Sequence, residues 1–194
     1  MNANEKPSKT VVTDTTANPA PLGLCAFGFT TILLNFHNAG FYPLDATILA
    51  MGIFYGGLAQ VLAGIMEWRK GNSFGTTAFT SYGLFWLSLA GILIIPALNL
   101  GVAPGPKAMA AYLALWGVFT GILFIATLKL SRALQAVFLT LTLLFFLLAI
   151  AHGFESALIL RIAGFEGIVC GACAVYAGLG QLLNEVYGRT VWPL

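Results

Sequence analysis

The chain has 194 residues, 59% of them hydrophobic and 8% charged, with a formal net charge of +2. Soluble domains carry about 25% charged residues, so this composition excludes an ordinary soluble fold and points to a surface that faces lipid. The small positive balance, with no basic run, argues against nucleic acid as a partner.

In chain order, the first segment is "MNANEKPSKTVVTDTTA". It lacks the apolar core and small-residue cleavage site of a secretory signal, so residues 1 to 17 are expected to form a disordered tail. "NPAPLGL" follows at the border of the first apolar stretch. Asn18 suits an N-cap and Pro19 the first helical position, where a missing N–H costs nothing. Pro21 still lies within the first turn. A helix start also offers free N–H groups, here those of Ala20 and Leu22, to a small anion. "NPA" is also a water-channel tripeptide, but it occurs once, at a border, with no second copy facing it.

A membrane-crossing helix needs about 20 mostly apolar residues. Six stretches meet that need: 22–36, 46–66, 74–97, 108–128, 133–151 and 158–183. The sequence therefore predicts an all-α, six-span domain over residues 18–194, with no room for an extramembrane catalytic domain. With the amino terminus placed in the cytoplasm, that side receives Lys6, Lys9, Arg69, Lys70, Lys129, Arg132 and Arg189. The opposite side receives only Lys107 and Arg161. That bias puts both termini inside.

Function must then reside between helices, where small residues allow close contact and polar residues face the interior. Gly52, Gly56 and Gly64 in span two, and Gly167, Gly171, Ala174 and Gly178 in span six, suit helix packing. "YGGLAQ" at 55–60 is echoed by "YAGLGQ" at 176–181. Phe27, Thr31, Asn35 and Asn38 share a face of span one. Glu166, Cys170, Cys173, Gln181 and Asn184 form a stripe on span six, and Gln60 and Tyr82 add single polar groups. Glu166 is the one acid well inside a span, read as structural: it snorkels outward or pairs with Arg161. "CGAC" at 170–173 has redox-pair spacing without the strand-to-helix context of that motif. No metal-ligand cluster, nucleophile–base pair or phosphate loop appears, so neither a metal, a cofactor nor an enzyme is expected. A conducting path of modest polarity fits better.

One resemblance is specific. "NPAPLGLCAF", "TTILLNFHNAGFYPLD", "ILAMGIFYGGLAQVLAG", "KGNSFGTTAFTSYGLFWL", "YLALWGVFT" and "LNEVYGRTVWPL" resemble the acetate uptake transporter family, which includes the bacterial succinate–acetate permeases. The likeness covers nearly everything from Asn18 onward. It implies a six-helix protomer with its own pore, assembled as a homo-hexamer in the inner (plasma) membrane, passing acetate, related short carboxylates or succinate. It also implies a waist formed by Phe27, Tyr82 and Leu141, and a small position, Ala174, that influences substrate size. "NFHNAG" makes Asn35, His37 and Asn38 candidates for the outer vestibule. Further substrate-holding candidates are Asn18, Ala20, Leu22, Thr31 and Gln60, and the Tyr82 hydroxyl is expected to donate to the carboxylate. Channel and proton-coupled symport both stay open, as does a different small solute such as formate, ammonium or water. A non-transporting membrane partner or sensor is the other rival, disfavoured by the polar stripes.

Overall fold

The computed structural model describes residues 16–194; most of the expected tail lies outside them. Among the described residues six apolar helices are long enough to cross a membrane: α1 Ala20–Asn38, α2 Ala46–Arg69, α3 Ser73–Ala97, α4 Pro106–Thr127, α5 Arg132–Gly153 and α6 Ala157–Tyr187. No strand is present among them. Each helix extends the predicted span at one or both ends. The largest extension is in α6, whose 31 residues make a rod of about 46 Å, longer than the roughly 30 Å hydrocarbon layer.

Local chemistry sets the boundaries. The side chains of Asp45, Asn72, Ser131 and Ser156 accept the N–H of a first-turn residue at the starts of α2, α3, α5 and α6, which satisfies donors the helix leaves open. Pro106 opens α4. Gly188 ends α6 with φ of 62°, a left-handed stop that glycine makes without strain. At α1 the expected register moves by one residue. Pro19 holds the cap position, and Asn18 reaches past it to accept the Ala20 N–H at 3.1 Å.

The helices close a ring in chain order. α1 packs on α2 and α6, α2 on α3, and α4 on α5, which packs on α6. The α3–α4 seam is bridged by side chains rather than close backbone approach: Phe85 stacks on Tyr112 at 5.8 Å, and Ser88 Oγ lies 2.6 Å from Tyr112 Oη. The α1–α6 seam is the opposite case. A Cβ on Gly28 would sit 2.7 Å from the Gly171 carbonyl, and one on Gly171 would meet Gly28 and Ile32. A Cβ on Gly167 would overlap the Asn35 amide. Asn35 is 1% exposed and donates to the Thr31 carbonyl, while Asn38 donates to Asn35 Oδ1.

The middle of α2, Met51–Ala59, is a π-helix, which the sequence analysis did not anticipate. Its cause is legible in retrospect. The buried residues Ile48, Gly52, Gly56, Gln60 and Gly64 recur every fourth position. At 3.6 residues per turn such a stripe drifts by about 40° per step and would leave the bundle interior. Wide turns closed by i→i+5 bonds hold it on one side.

Beyond Gly188 the chain folds back along α6. Asn184 Oδ1 accepts the N–H groups of Val191 and Trp192 at 2.8 and 2.9 Å, and its amide donates to the Trp192 carbonyl. Trp192 then meets Tyr176 edge to face at 5.0 Å.

The glycine seam gives a first prediction. Gly28→Ala forces a methyl into backbone and should destabilise the folded protein by about 1–3 kcal/mol. Gly91→Ala, whose Cβ would find nothing nearer than 3.9 Å, should be neutral. Thermal unfolding of both variants in detergent checks the contrast.

Candidate functional site

Because successive helices alternate in direction, the starts of α1, α3 and α5 share one end of the bundle with the ends of α2, α4 and α6. At this end, which also carries both described termini, a cavity of about 460 Å³ opens between the helices. Its mouth is polar. Asn18 Nδ2 donates to Gln181 Oε1 at 3.2 Å, Asn72 Nδ2 donates to Glu67 at 2.8 Å, and Lys70 Nζ donates to the Thr16 carbonyl at 2.9 Å. Its floor is apolar: Leu24, Phe27, Ala78, Phe79, Val137, Phe138 and Leu141 line it, with Tyr82 and Gln60. Phe27 and Tyr82 face each other at 5.8 Å between ring centroids.

α1, α3 and α5 supply Phe27, Tyr82 and Leu141 to this floor because each turns a closely packed face inward. Phe27 is 5% exposed, Tyr82 3% and Leu141 2%. The π-helix brings Gln60 to the same depth. Gly56 packs on Thr30, one turn beyond Phe27 on α1, and Gly83 packs on Val61. Gln60 is 1% exposed, and its Oε1 has no hydrogen-bond partner.

Two expectations change here. The Tyr82 hydroxyl lies 2.9 Å from Thr120 Oγ1, and the Thr120 hydroxyl donates to the Trp116 carbonyl at 2.7 Å. With the threonine proton committed, the tyrosine must be the donor to Thr120. It therefore has no proton left for a carboxylate, contrary to the role expected of it. The Ala20 N–H is likewise occupied by Asn18, so that helix start does not present it to an anion.

Asn18, Ala20, Phe27, Gln60, Tyr82 and Leu141 all line the one cavity. The remaining candidates lie elsewhere. Leu22 is 37% exposed and not part of the lining. Thr31, Asn35 and Asn38 belong to the α1–α6 seam. His37 Nδ1 lies 3.0 Å from the Tyr42 carbonyl, tying a helix end to its loop. Ala174 is fully buried in the core. Glu166 neither snorkels nor pairs with Arg161: both carboxylate oxygens are buried without a partner. Cys25, Cys170 and Cys173 are free thiols.

Glu67, Lys70 and Asn72 were absent from the candidates although they line the cavity mouth, and Gln181, named only in the span-six stripe, lines it with them. Gln181 was signalled by the echo of "YGGLAQ", because both hexapeptides end in a glutamine that lines this cavity. Glu67 carried no such signal, since an acid at a span end reads as solvated.

At the opposite end a second cavity, of about 510 Å³, lies among the ends of α3 and α5 and the starts of α4 and α6. Its lining includes Pro96, Met109, His152, Glu155 and Ser156, and Asn35, His37 and Asn38 are not part of it. Between the two cavities Phe85, Leu144, Phe145 and Leu148 are buried. The arrangement suits a small solute with a polar head and a short apolar body, received at a polar mouth and led to a dry waist.

Known proteins share this architecture. A model of the GPR1/FUN34/yaaH family matches residues 2–190. The succinate-acetate/proton symporter SatP of Escherichia coli K12 is 58% identical over 178 residues, covering 92% of this chain and 95% of that protein. Acetate permease A of Emericella nidulans is 36% identical over 195 residues, covering 92% of this chain and 65% of the permease. The solved structure of the bacterial acetate channel SatP matches with a TM-score of 0.92 at 57% identity, covering 93% of this chain and 99% of that one. This multi-pass, six-helix membrane protein belongs to the GPR1/FUN34/yaaH family.

Proposed function

We propose that the protein carries acetate and related small carboxylates, succinate among them, across a membrane through a path inside each protomer. The observation that carries this reading is the single cavity whose lining joins Asn18, Lys70 and Gln181 to Phe27, Tyr82 and Leu141. Its relatives SatP and acetate permease A, named for succinate and acetate transport, support the same assignment. Transport rather than catalysis is the reading that the names of these relatives support. A dry waist disfavours hydrated inorganic ions, because stripping water from a charge without compensation is costly. Phe27 and Leu141 set the bore, and Tyr82, anchored through Thr120, holds the third side rigid.

The same reading places the protein in the inner (plasma) membrane with both termini cytoplasmic, on the strength of the Lys/Arg bias. It also takes the resemblance's homo-hexamer as the assembly. Outward apolar residues such as Phe54, Leu115 and Leu158, each more than 60% exposed, supply faces for lipid and for neighbouring protomers.

Uptake of labelled acetate by liposomes containing the purified protein, against protein-free liposomes, tests the proposal. Unlabelled succinate should compete, and formate or ammonium should not. Formate or ammonium competing better than acetate would reassign the substrate. Leu141→Ala and Phe27→Ala should raise the lactate-to-acetate uptake ratio by about tenfold, since a lost methylene or more of pocket wall is worth roughly 1–3 kcal/mol in discrimination. Unchanged selectivity in both variants would remove the ring from the mechanism.

Tyr82→Phe should keep acetate uptake within about threefold of the parent, because the hydroxyl supports Thr120 and a neutral hydrogen bond contributes about 1 kcal/mol. A loss of a hundredfold would instead assign the hydroxyl to the substrate.

A further inference from the structure

A buried acceptor with no partner is costly, on the order of 1–3 kcal/mol, and native proteins keep few of them. Gln60 is such a case in the lining of the inner cavity. Its side chain is 1% exposed, it lines that cavity, and its Oε1 accepts no hydrogen bond. A carboxamide edge offers an acceptor oxygen beside a donor N–H. A carboxylate anion consists only of acceptors and leaves that oxygen unsatisfied. A protonated carboxylic acid presents the complementary edge, with O–H donating to the amide oxygen and C=O accepting from the amide nitrogen.

The rest of the waist agrees. The Tyr82 proton is directed to Thr120, so this hydroxyl offers nothing to a negative charge. Leu24, Phe27, Phe138 and Leu141 are apolar. The titratable or charged groups around Gln60 are few. Glu67 and Lys70 lie on its own helix at the cavity mouth, and Tyr82 of α3 lines the same cavity. α5 carries no charged residue between 133 and 151. Among the described residues no cation lines the cavity beside Phe27, Gln60, Tyr82 and Leu141 other than Lys70 at its mouth.

We infer that the species crossing the waist is the neutral carboxylic acid, paired edge to edge with the Gln60 carboxamide. The inference rests on the transport reading above and specifies the form of the substrate. The proton then travels on the substrate itself: a carboxylate takes it up at one mouth and releases it at the other. Passage is electrically silent, and net uptake moves one proton with each monocarboxylate without a proton-carrying residue of the protein.

The test uses the wild-type protein in liposomes, with protein-free liposomes subtracted. Protein-dependent acetate flux is measured while a potassium gradient and valinomycin set the membrane potential to either sign. The expected flux is the same within twofold at both signs. At fixed total acetate it falls about tenfold for each pH unit above the acid's own pKa. Flux that rises severalfold when the interior is positive means that the anion crosses, and it overturns the inference while acetate transport stands. Absence of protein-dependent acetate flux at every potential and pH overturns the transport reading and this inference together.

Acetamide, a neutral molecule with the same donor–acceptor edge, supplies the second arm. It should compete with acetate uptake in the wild type. Gln60→Leu should lower acetate flux about tenfold and abolish the acetamide competition. A Gln60→Leu protein that retains both flux and acetamide competition would overturn the pairing, and the potential measurement on the wild type stands independently of how well that variant folds.

Discussion

Lipid supplies no hydrophobic drive for one helix to seek another, so the bundle depends on how closely backbones approach. Here that constraint is met at the α1–α6 seam, where Gly28 and Gly171 face each other and Gly167 receives the Asn35 amide. Everything functional follows from the rotation this seam imposes on α1. With its glycine and asparagine face held against α6, Leu24 and Phe27 are left to point into the ring. The polar residues that looked like a conduit are the fastening instead. Their hydrogen bonds run within α1, from Asn38 to Asn35 to the Thr31 carbonyl, so the contact with α6 is left to close packing on Gly167.

The opposite side of the ring is fastened by aromatic bulk. α3 and α4 stay far enough apart to admit Tyr82, Phe85, Tyr112 and Trp116, which meet edge to face or stacked at 5.1–6.4 Å. Such pairs add about 0.5–1.5 kcal/mol each beyond burial, and Thr120 fixes the tyrosine through a bond that also uses its proton. A tight seam on one side and a wide aromatic one on the other leave an off-centre gap, and the inner cavity occupies it. Polarity is graded along this gap, from a charged mouth at Glu67 and Lys70 to a floor where Gln60 alone carries unspent hydrogen-bonding capacity.

Much of this was legible in the sequence. Six spans followed from apolar run length. Phe27, Tyr82 and Leu141, taken from the family resemblance, meet in one cavity lining. What could not be read was which neighbour a polar side chain would choose. Asn35 and His37 have the same composition signal whether they line a vestibule or fasten a helix, and only the position of Gly167 across the seam decides. Tyr82 lines the inner cavity, while Thr120, the partner of its hydroxyl, is 38 residues away in the chain. Glu67 looked like a solvated helix end, yet it is 3% exposed beneath Asn72.

The π-helix of α2 has a consequence for how the chain tolerates change in length. Its wide turns act as a phase adjuster between two halves of one helix: Ile48 and Gly52 above, Gln60 and Gly64 below, all kept on one azimuth. Deleting a single residue between 51 and 59 would let the segment relax to ordinary α-helix at little local cost, and eleven steps of about 100° from Ile48 to the carboxamide would then fall only about 20° from three full turns. The same deletion outside the wide turns has no such outlet and would swing the carboxamide by about 100° from the passage toward a neighbouring helix. Between 51 and 59 this helix can therefore lose a residue and keep the waist facing inward.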